Sequence, residues 1–302
     1  NHHCQMNIRM NKIILATLLL LSCLGLSNCS DDTPKGASIF PTTPVRRNAF
    51  DNWLLKNYTN PYNIEFKYRL EDAETDYNYH LVPADSAKTA KLAILTKYLW
   101  FDAYSEVAGV NFVKANVPRT IVAVGIPGYT RQRTMVLGSA EGGYKVTLNN
   151  INALDSLTLT NYSAMTEFYF HTMHHEFTHI LNQKKPYNTA FNLISKSDYV
   201  SSNWSHQKES DAHRAGFVSP YAMSDGFEDF AETLAFYVTL TPAQWNDILK
   251  DAGNSGAPII NQKLEIIKDY MLTSWNVDLD RLRASVLGRG DNVRHLDLQH
   301  LK

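Results

Sequence analysis

Cysteine is scarce in this 302-residue chain, and all three copies, Cys4, Cys23 and Cys29, fall in its first tenth. A disulfide framework for the body of the protein is thereby excluded. Neither sign of charge dominates: 29 Lys and Arg stand against 30 Asp and Glu, a net charge of −1. Without a broad positive field the chain has nothing to hold a nucleic acid backbone. No apolar run approaches the ~20 residues that a membrane-spanning helix requires. Repeats and low-complexity tracts are missing apart from one Pro/Ser/Thr-rich stretch near the start. What remains is ordinary globular material, 44% hydrophobic, 11% aromatic and 20% charged, in a chain long enough to bury a substantial core.

The N-terminal region reads as an address. From Met10 the chain runs Met-Asn-Lys, then apolar from 13 to 21, then small residues to Cys29, the pattern of a secretory signal. Leu26-Ser27-Asn28-Cys29 resembles a bacterial lipobox, whose cysteine becomes the diacylated first residue. Cys23, after Leu20-Leu21-Ser22, is the competing position. A cut there would leave a signal of only 13 residues from Met10, so length favours Cys29. Ser30-Asp31-Asp32 resembles the surface-export signal of Bacteroidetes lipoproteins, which implies an outer-membrane lipoprotein displayed at the cell surface. Residues 1–9 look like translation upstream of the natural start. The expected organisation is a signal region at 1–28, a lipidated tether at 29–48 and a catalytic body at 49–302. Removing 1–28 takes away Arg9 and Lys12 and no acid, so the mature chain carries −3.

Within the body, alternation over 63–70 predicts a half-buried strand, and apolar spacing over 87–107 a helix. The run at 120–124 predicts a second strand. Residues 135–137 and 144–148, flanking Glu141-Gly142-Gly143, predict a hairpin. Helices are expected over 162–182, over 239–274 and through most of 277–302. The segment 144–148 is a candidate edge strand against which an extended peptide could align. The polar stretch 195–213 reads as a long connection between functional parts.

The chemistry concentrates on the helix expected at 162–182, which carries His175-Glu176-Phe177-Thr178-His179. Residues four apart share one helical face, so both imidazoles can meet a single Zn²⁺. Glu176 falls about 60° around the helix from His179, close enough to take a proton from a metal-polarised water without having to coordinate the ion. Met173, Phe177, Ile180 and Leu181 supply an apolar side for burial. His174 points away from the two paired histidines. His171, one turn before His175, reads either as a hydrogen-bonded structural histidine or as support for the site. A third ligand must come from elsewhere, since the position six after His179 is Lys185. Two candidates stand: Glu228 with Glu232, or Asp211 with His213. The two glutamates lie four apart on a face that continues through Ala235 and Phe236. Like charges so placed repel, and their burial needs a cation or donors. On that ground Glu228 is assigned to the metal and Glu232 to the ring N–H of His175.

HExxH followed by a glutamate on a second helix resembles the gluzincin metallopeptidases. The segment Phe217-Val-Ser-Pro-Tyr-Ala222, followed by Glu228-Asp-Phe-Ala-Glu232, is similar to the zinc-binding metallopeptidase lipoproteins of Bacteroidetes. It is also similar to the catalytic domain of anthrax lethal factor, in which a tyrosine seven residues before the ligand glutamate steadies the tetrahedral intermediate. By that resemblance Tyr221 is the oxyanion donor. The resemblance implies an α+β zincin-like fold, with a mixed sheet and the active-site helix in an upper half and a mainly helical lower half. It implies a zinc-dependent peptidase acting on peptide or protein substrates and held to the membrane only by lipid. The chain lacks a Gly-x-Met-Glu-Asn segment such as zinc aminopeptidases use, which favours an endopeptidase. Two alternatives remain at this stage. One is a non-catalytic surface lipoprotein of the same fold that captures peptide or glycan for an outer-membrane nutrient uptake system. The other is a scaffold with structural zinc, which would have no use for Glu176.

Overall fold

A computed structural model of the chain describes residues 46–69, 82–129, 135–136, 138–141 and 145–302. The signal, the three cysteines and nearly all of the tether lie outside the described residues. The body, Arg47–Lys302, forms one unit, and none of its described helices is long and apolar enough to cross a membrane.

The chain enters through helix α1 (Ala49–Leu54), started by a capping box in which Asn48 and Asp51 exchange side-chain-to-backbone hydrogen bonds. A π-helical turn, Leu55–Thr59, continues it. Strand β1 (Glu65–Lys67) follows, then α2 (Ser86–Thr96), a second π turn (Lys97–Phe101) and α3 (Asp102–Ala108). Gly109, at φ 87°, breaks the helical path before α4 (Val110–Asn116); a side chain would be strained in that left-handed conformation. Five strands come next: β2 (Thr120–Ala123), β3 (Gly128–Tyr129), β4 (Met135–Val136), β5 (Gly138–Glu141) and β6 (Lys145–Leu148).

The main sheet has the order β1-β2-β6-β5. β1, β2 and β6 run parallel, and β5 closes one side antiparallel to β6. Two sequence expectations are corrected here. The first arm of the hairpin is Gly138–Glu141, whereas Met135–Val136 pairs with Gly128–Tyr129 in a separate ribbon. The segment expected at the edge, 144–148, supplies β6, an interior strand paired on both sides, and the edge belongs to β5. Alternation reveals which residues face the core, but a long-range parallel partner such as β2 leaves no local mark. Ile121 and Val146, buried and in register on β2 and β6, show why that pairing wins: it seals the strand faces against the core.

The helix expected at 162–182 is a composite: Tyr162–Met165, a third π turn at Thr166–Phe170, then α5 (His171–Lys184). A short turn, Phe191–Ile194, and a 3₁₀ turn, Ser201–His206, lead to α6 (Glu209–Arg214). A further 3₁₀ turn, Tyr221–Met223, precedes α7 (Gly226–Thr239). The helix expected over 239–274 instead begins at α8 (Pro242–Trp275), where Thr241 caps and Pro242 occupies the first turn. Gly253, at φ 62°, kinks it. Gly256 marks a close approach, since a Cβ there would lie 2.0 Å from the carbonyl oxygen of His213. The last helix is α9 (Leu279–Asn292). The fold is α+β, with its helices outweighing a small mixed sheet.

Helix α5 is held from behind by aromatic packing. Phe177 meets Trp100, Tyr104 and Phe112 edge to face, with centroids 5.0–6.0 Å apart. His174 belongs to this rear face: fully buried, it shares a hydrogen bond of 3.1 Å with the Tyr104 hydroxyl, and burial lowers its pKa to about 3. A buried aromatic of this kind contributes about 1.5–3 kcal/mol, so α5 is anchored independently of anything on its front face.

Candidate metal centre

The front face of α5 meets α7. Asp225 caps α7, accepting from the backbone N–H groups of Phe227 and Glu228 at 2.8 and 3.1 Å. Glu228 therefore sits in the first turn, where the helix dipole favours an anion. Its Oε2 lies 2.8 Å from His175 Nε2 and 3.3 Å from His179 Nε2, and the two Nε2 atoms are 3.0 Å apart. Tetrahedral zinc with bonds of about 2.0–2.1 Å sets its ligand atoms about 3.3 Å apart. The triangle of two imidazole nitrogens and one carboxylate oxygen fits such an ion, and His175, His179 and Glu228 together could hold one.

A second carboxylate sits one turn along α7. Glu232 Oε1 accepts from His175 Nδ1 at 2.8 Å and is also 2.8 Å from His171 Nε2. Its Oε2 accepts from the Ser219 hydroxyl at 2.7 Å. A carboxylate with three donors is well compensated for its burial. Its pKa falls far below the usual carboxylate range despite the desolvation that acts to raise it, chiefly through His171 and then His175. The bond to Nδ1 leaves Nε2 of His175 aimed at the metal position.

Burial alone would lower the pKa of His175, but hydrogen bonds to Glu228 and Glu232 override it and raise the value to about 10. Burial likewise opposes ionisation of Glu228, yet His175 and His179 bring it down to about 2. His175 is thus clasped between two carboxylates that favour its protonated form. A metal needs a bare Nε2, so zinc uptake at pH 7–8 should expel about one proton from His175. Apparent affinity should then rise with pH across that range. Calorimetric titration in buffers of different ionisation enthalpy measures this number, and a value of zero would contradict the clasp.

Glu176 lies in the same field. Its pKa is raised, first by burial and also by Glu228, while His175 and His179 pull the other way. Tyr221 reaches the centre from its 3₁₀ turn: its ring lies 5.8 Å from that of His175, and its hydroxyl lies in the field of Glu228 and Glu176. Burial, followed by the carboxylates, drives its pKa far up.

The other candidate ligands are elsewhere engaged. His213 is buried between Asp251, at 2.6 Å, and the Val218 carbonyl. Asp211 pairs with Arg214 on an exposed face. Sequence reasoning left His171 undecided, and it shares the Glu232 carboxylate. Ser219 was missed although it lies within the quoted 217–222 segment, because a lone serine in a turn carries no periodic signal.

Comparison with known proteins agrees with this geometry. The sequence profile of a family described as "Putative zinc-binding metallo-peptidase" matches residues 43–280. No curated protein matches the chain. A crystal structure from Bacteroides caccae, described in the same words as the family, is similar at 44% sequence identity and a TM-score of 0.76. The match covers 88% of this chain and 100% of that one. On the strength of both matches, this chain belongs to the zinc-binding metallo-peptidase family.

Proposed function

We propose that the chain is a zinc-dependent endopeptidase of gluzincin type with a zincin-like fold, anchored as a surface lipoprotein through Cys29. One observation carries the catalytic part: Nε2 of His175, Nε2 of His179 and Oε2 of Glu228 converge within 2.8–3.3 Å, with Glu176 beside them and not among them. Three protein ligands suit a catalytic site, whereas structural zinc is usually closed by four. The anchoring part rests on the signal pattern that ends at Cys29.

Zinc, when bound, supplies Lewis acidity that polarises a carbonyl and makes water acidic near neutral pH. The protein does the rest. His175, His179 and Glu228 bind the ion, and Glu232 fixes the His175 ring by holding the proton on Nδ1. Glu176 takes the proton of the attacking water on its carboxylate and delivers it to the departing amide nitrogen. Its raised pKa suits that exchange, because a proton shuttle works best when its own affinity approaches ambient pH. Tyr221 donates from its hydroxyl to the oxygen on which negative charge develops. An extended peptide adds its backbone to the outer side of β5, which pairs only with β6 among the described residues and packs along α5.

The test is direct. Purified zinc-loaded protein incubated with a diverse peptide library should yield internal cuts that a chelator abolishes and added zinc restores. Peptide retained intact under both conditions would favour capture for a nutrient uptake system over cleavage. For the anchor, the mass of the mature N-terminus should correspond to a diacylglyceryl cysteine at Cys29, and a free amino terminus elsewhere would remove that part of the reading.

A further inference from the structure

The 3₁₀ turn Ser201–His206 lies in the long polar connection between the two helices of the centre, and the catalytic scheme above gives it no task. One of its side chains reaches the site. The indole of Trp204 meets the ring of Tyr221 edge to face, with centroids 4.9 Å apart and planes at 74°. Tyr221 also faces the His175 ring at 5.8 Å and 32°. Among the described ring contacts, the phenol thus touches one imidazole of the metal centre and one indole of the connection.

The backbone on both sides of this contact is tied down. The amide of Val200, just before the turn, donates to the Met223 carbonyl at 2.8 Å. The Ser224 hydroxyl donates to the Tyr221 carbonyl at 2.7 Å, and the Ala222 amide to the Ser219 hydroxyl at 3.2 Å. These bonds fix where Tyr221 stands but leave its side-chain torsions free. The hydroxyl must nevertheless reach a developing charge, and a small angular error at the ring becomes a large one at the oxygen.

We propose that Trp204 is a positioning residue for Tyr221, its indole serving as the stop against which the phenol turns toward the reacting carbonyl. The proposal rests on the peptidase reading for its catalytic consequence, but the positioning itself can be observed without turnover. Misplacing a catalytic group by about 1 Å can cost about 10²-fold in rate, and a donor to the oxyanion is worth about 10²–10³-fold. Loss of the stop should therefore lower kcat about tenfold, less than loss of the hydroxyl itself.

The experiment uses the zinc-loaded full chain with 3-fluorotyrosine placed at position 221, in the parent and in Trp204→Ala and Trp204→Phe. A single narrow ¹⁹F resonance is expected for the parent and for Trp204→Phe, and a broadened or split one for Trp204→Ala at unchanged zinc content. With a cleavable peptide, Trp204→Ala should lower kcat about tenfold with KM within twofold. Trp204→Phe should recover most of that loss, and in a Tyr221→Phe background Trp204→Ala should change kcat by less than about twofold. An identical resonance in Trp204→Ala overturns the proposal, as does a kcat loss undiminished in the Tyr221→Phe background. Should no peptide be cut while the resonance still responds to Trp204, the positioning stands and the peptidase reading falls.

Discussion

Glu176→Gln is expected to lower peptide turnover by about 10³-fold while zinc remains bound at one ion per chain. General acid–base groups contribute about 10²–10⁴-fold, and Glu176 is asked to act twice, accepting a proton and then returning it. Glutamine preserves the shape and a hydrogen-bonding oxygen but can neither hold nor deliver that proton. The metal is unaffected in this account because the converging donors belong to His175, His179 and Glu228. His175→Ala and Glu228→Ala should therefore behave differently, losing zinc first and activity as a consequence. Metal analysis beside turnover separates the two classes. Full activity in Glu176→Gln would end the proposed mechanism, and zinc lost from it would mean that Glu176 coordinates.

The second large effect concerns stability and lies just behind the centre. Lys263 of α8 and Asp229 of α7 form an ion pair of 2.7 Å with side-chain exposures of 1% and 0%. The ammonium also donates to the Gly216 carbonyl at 2.8 Å and sits 3.7 Å above the Phe217 ring, while Asp229 accepts from the Tyr199 hydroxyl at 3.0 Å. One cation thus joins α8, the neighbour of Glu228 on α7, and the segment that leads to Ser219 and Tyr221. Removing one partner of a buried pair costs about 3–5 kcal/mol, because the other charge is left uncompensated. Lys263→Ala should accordingly lower Tm by about 6–20 °C, taking about 2–4 °C per kcal/mol for a body of this size.

The pH dependence of that loss has a definite sign. Burial raises Asp229 to about 6 even with Lys263 beside it, the ammonium pulling the other way. Without the lysine the native-state value must climb further. A carboxyl whose folded pKa exceeds its unfolded one favours the native state at low pH and loses that advantage as pH rises through the folded value. The deficit of Lys263→Ala should therefore be smaller at pH 5 than at pH 8. Thermal unfolding at both values measures it, and an equal deficit would mean that Asp229 is neutral throughout or finds another cation.

How much of the centre could be read from sequence varies by residue, for physical reasons. His175 and His179 are legible because a helix converts a spacing of four into adjacency, and Glu228 with Glu232 because a like-charged pair on a partly apolar face demands compensation. Tyr221 was accessible only through resemblance, since its turn has no period to extrapolate. Trp204 and Ser219 enter from the same kind of irregular backbone. The sheet was legible in its strands and not in their order: β6 alternates as an edge strand would, yet lies between β2 and β5. Breaks in the long helices were partly announced, by Thr241-Pro242 and by Gly253, but the π turns had no comparable marker.

The π turn at Thr166–Phe170 has a consequence for how this protein can vary. A π turn accommodates one residue more than the α path would hold, which offsets everything upstream by about 100° relative to everything downstream. Tyr162, whose hydroxyl donates to the Thr239 carbonyl, and His175, which faces α7 one turn beyond His171, can therefore satisfy separate neighbours without a common phase. The turn works as a slip joint. Changes of length in the preceding loop and the short helix after it can be absorbed there before they reach the histidines, so the stretch from His175 to His179 keeps its aim while the chain leading into it drifts.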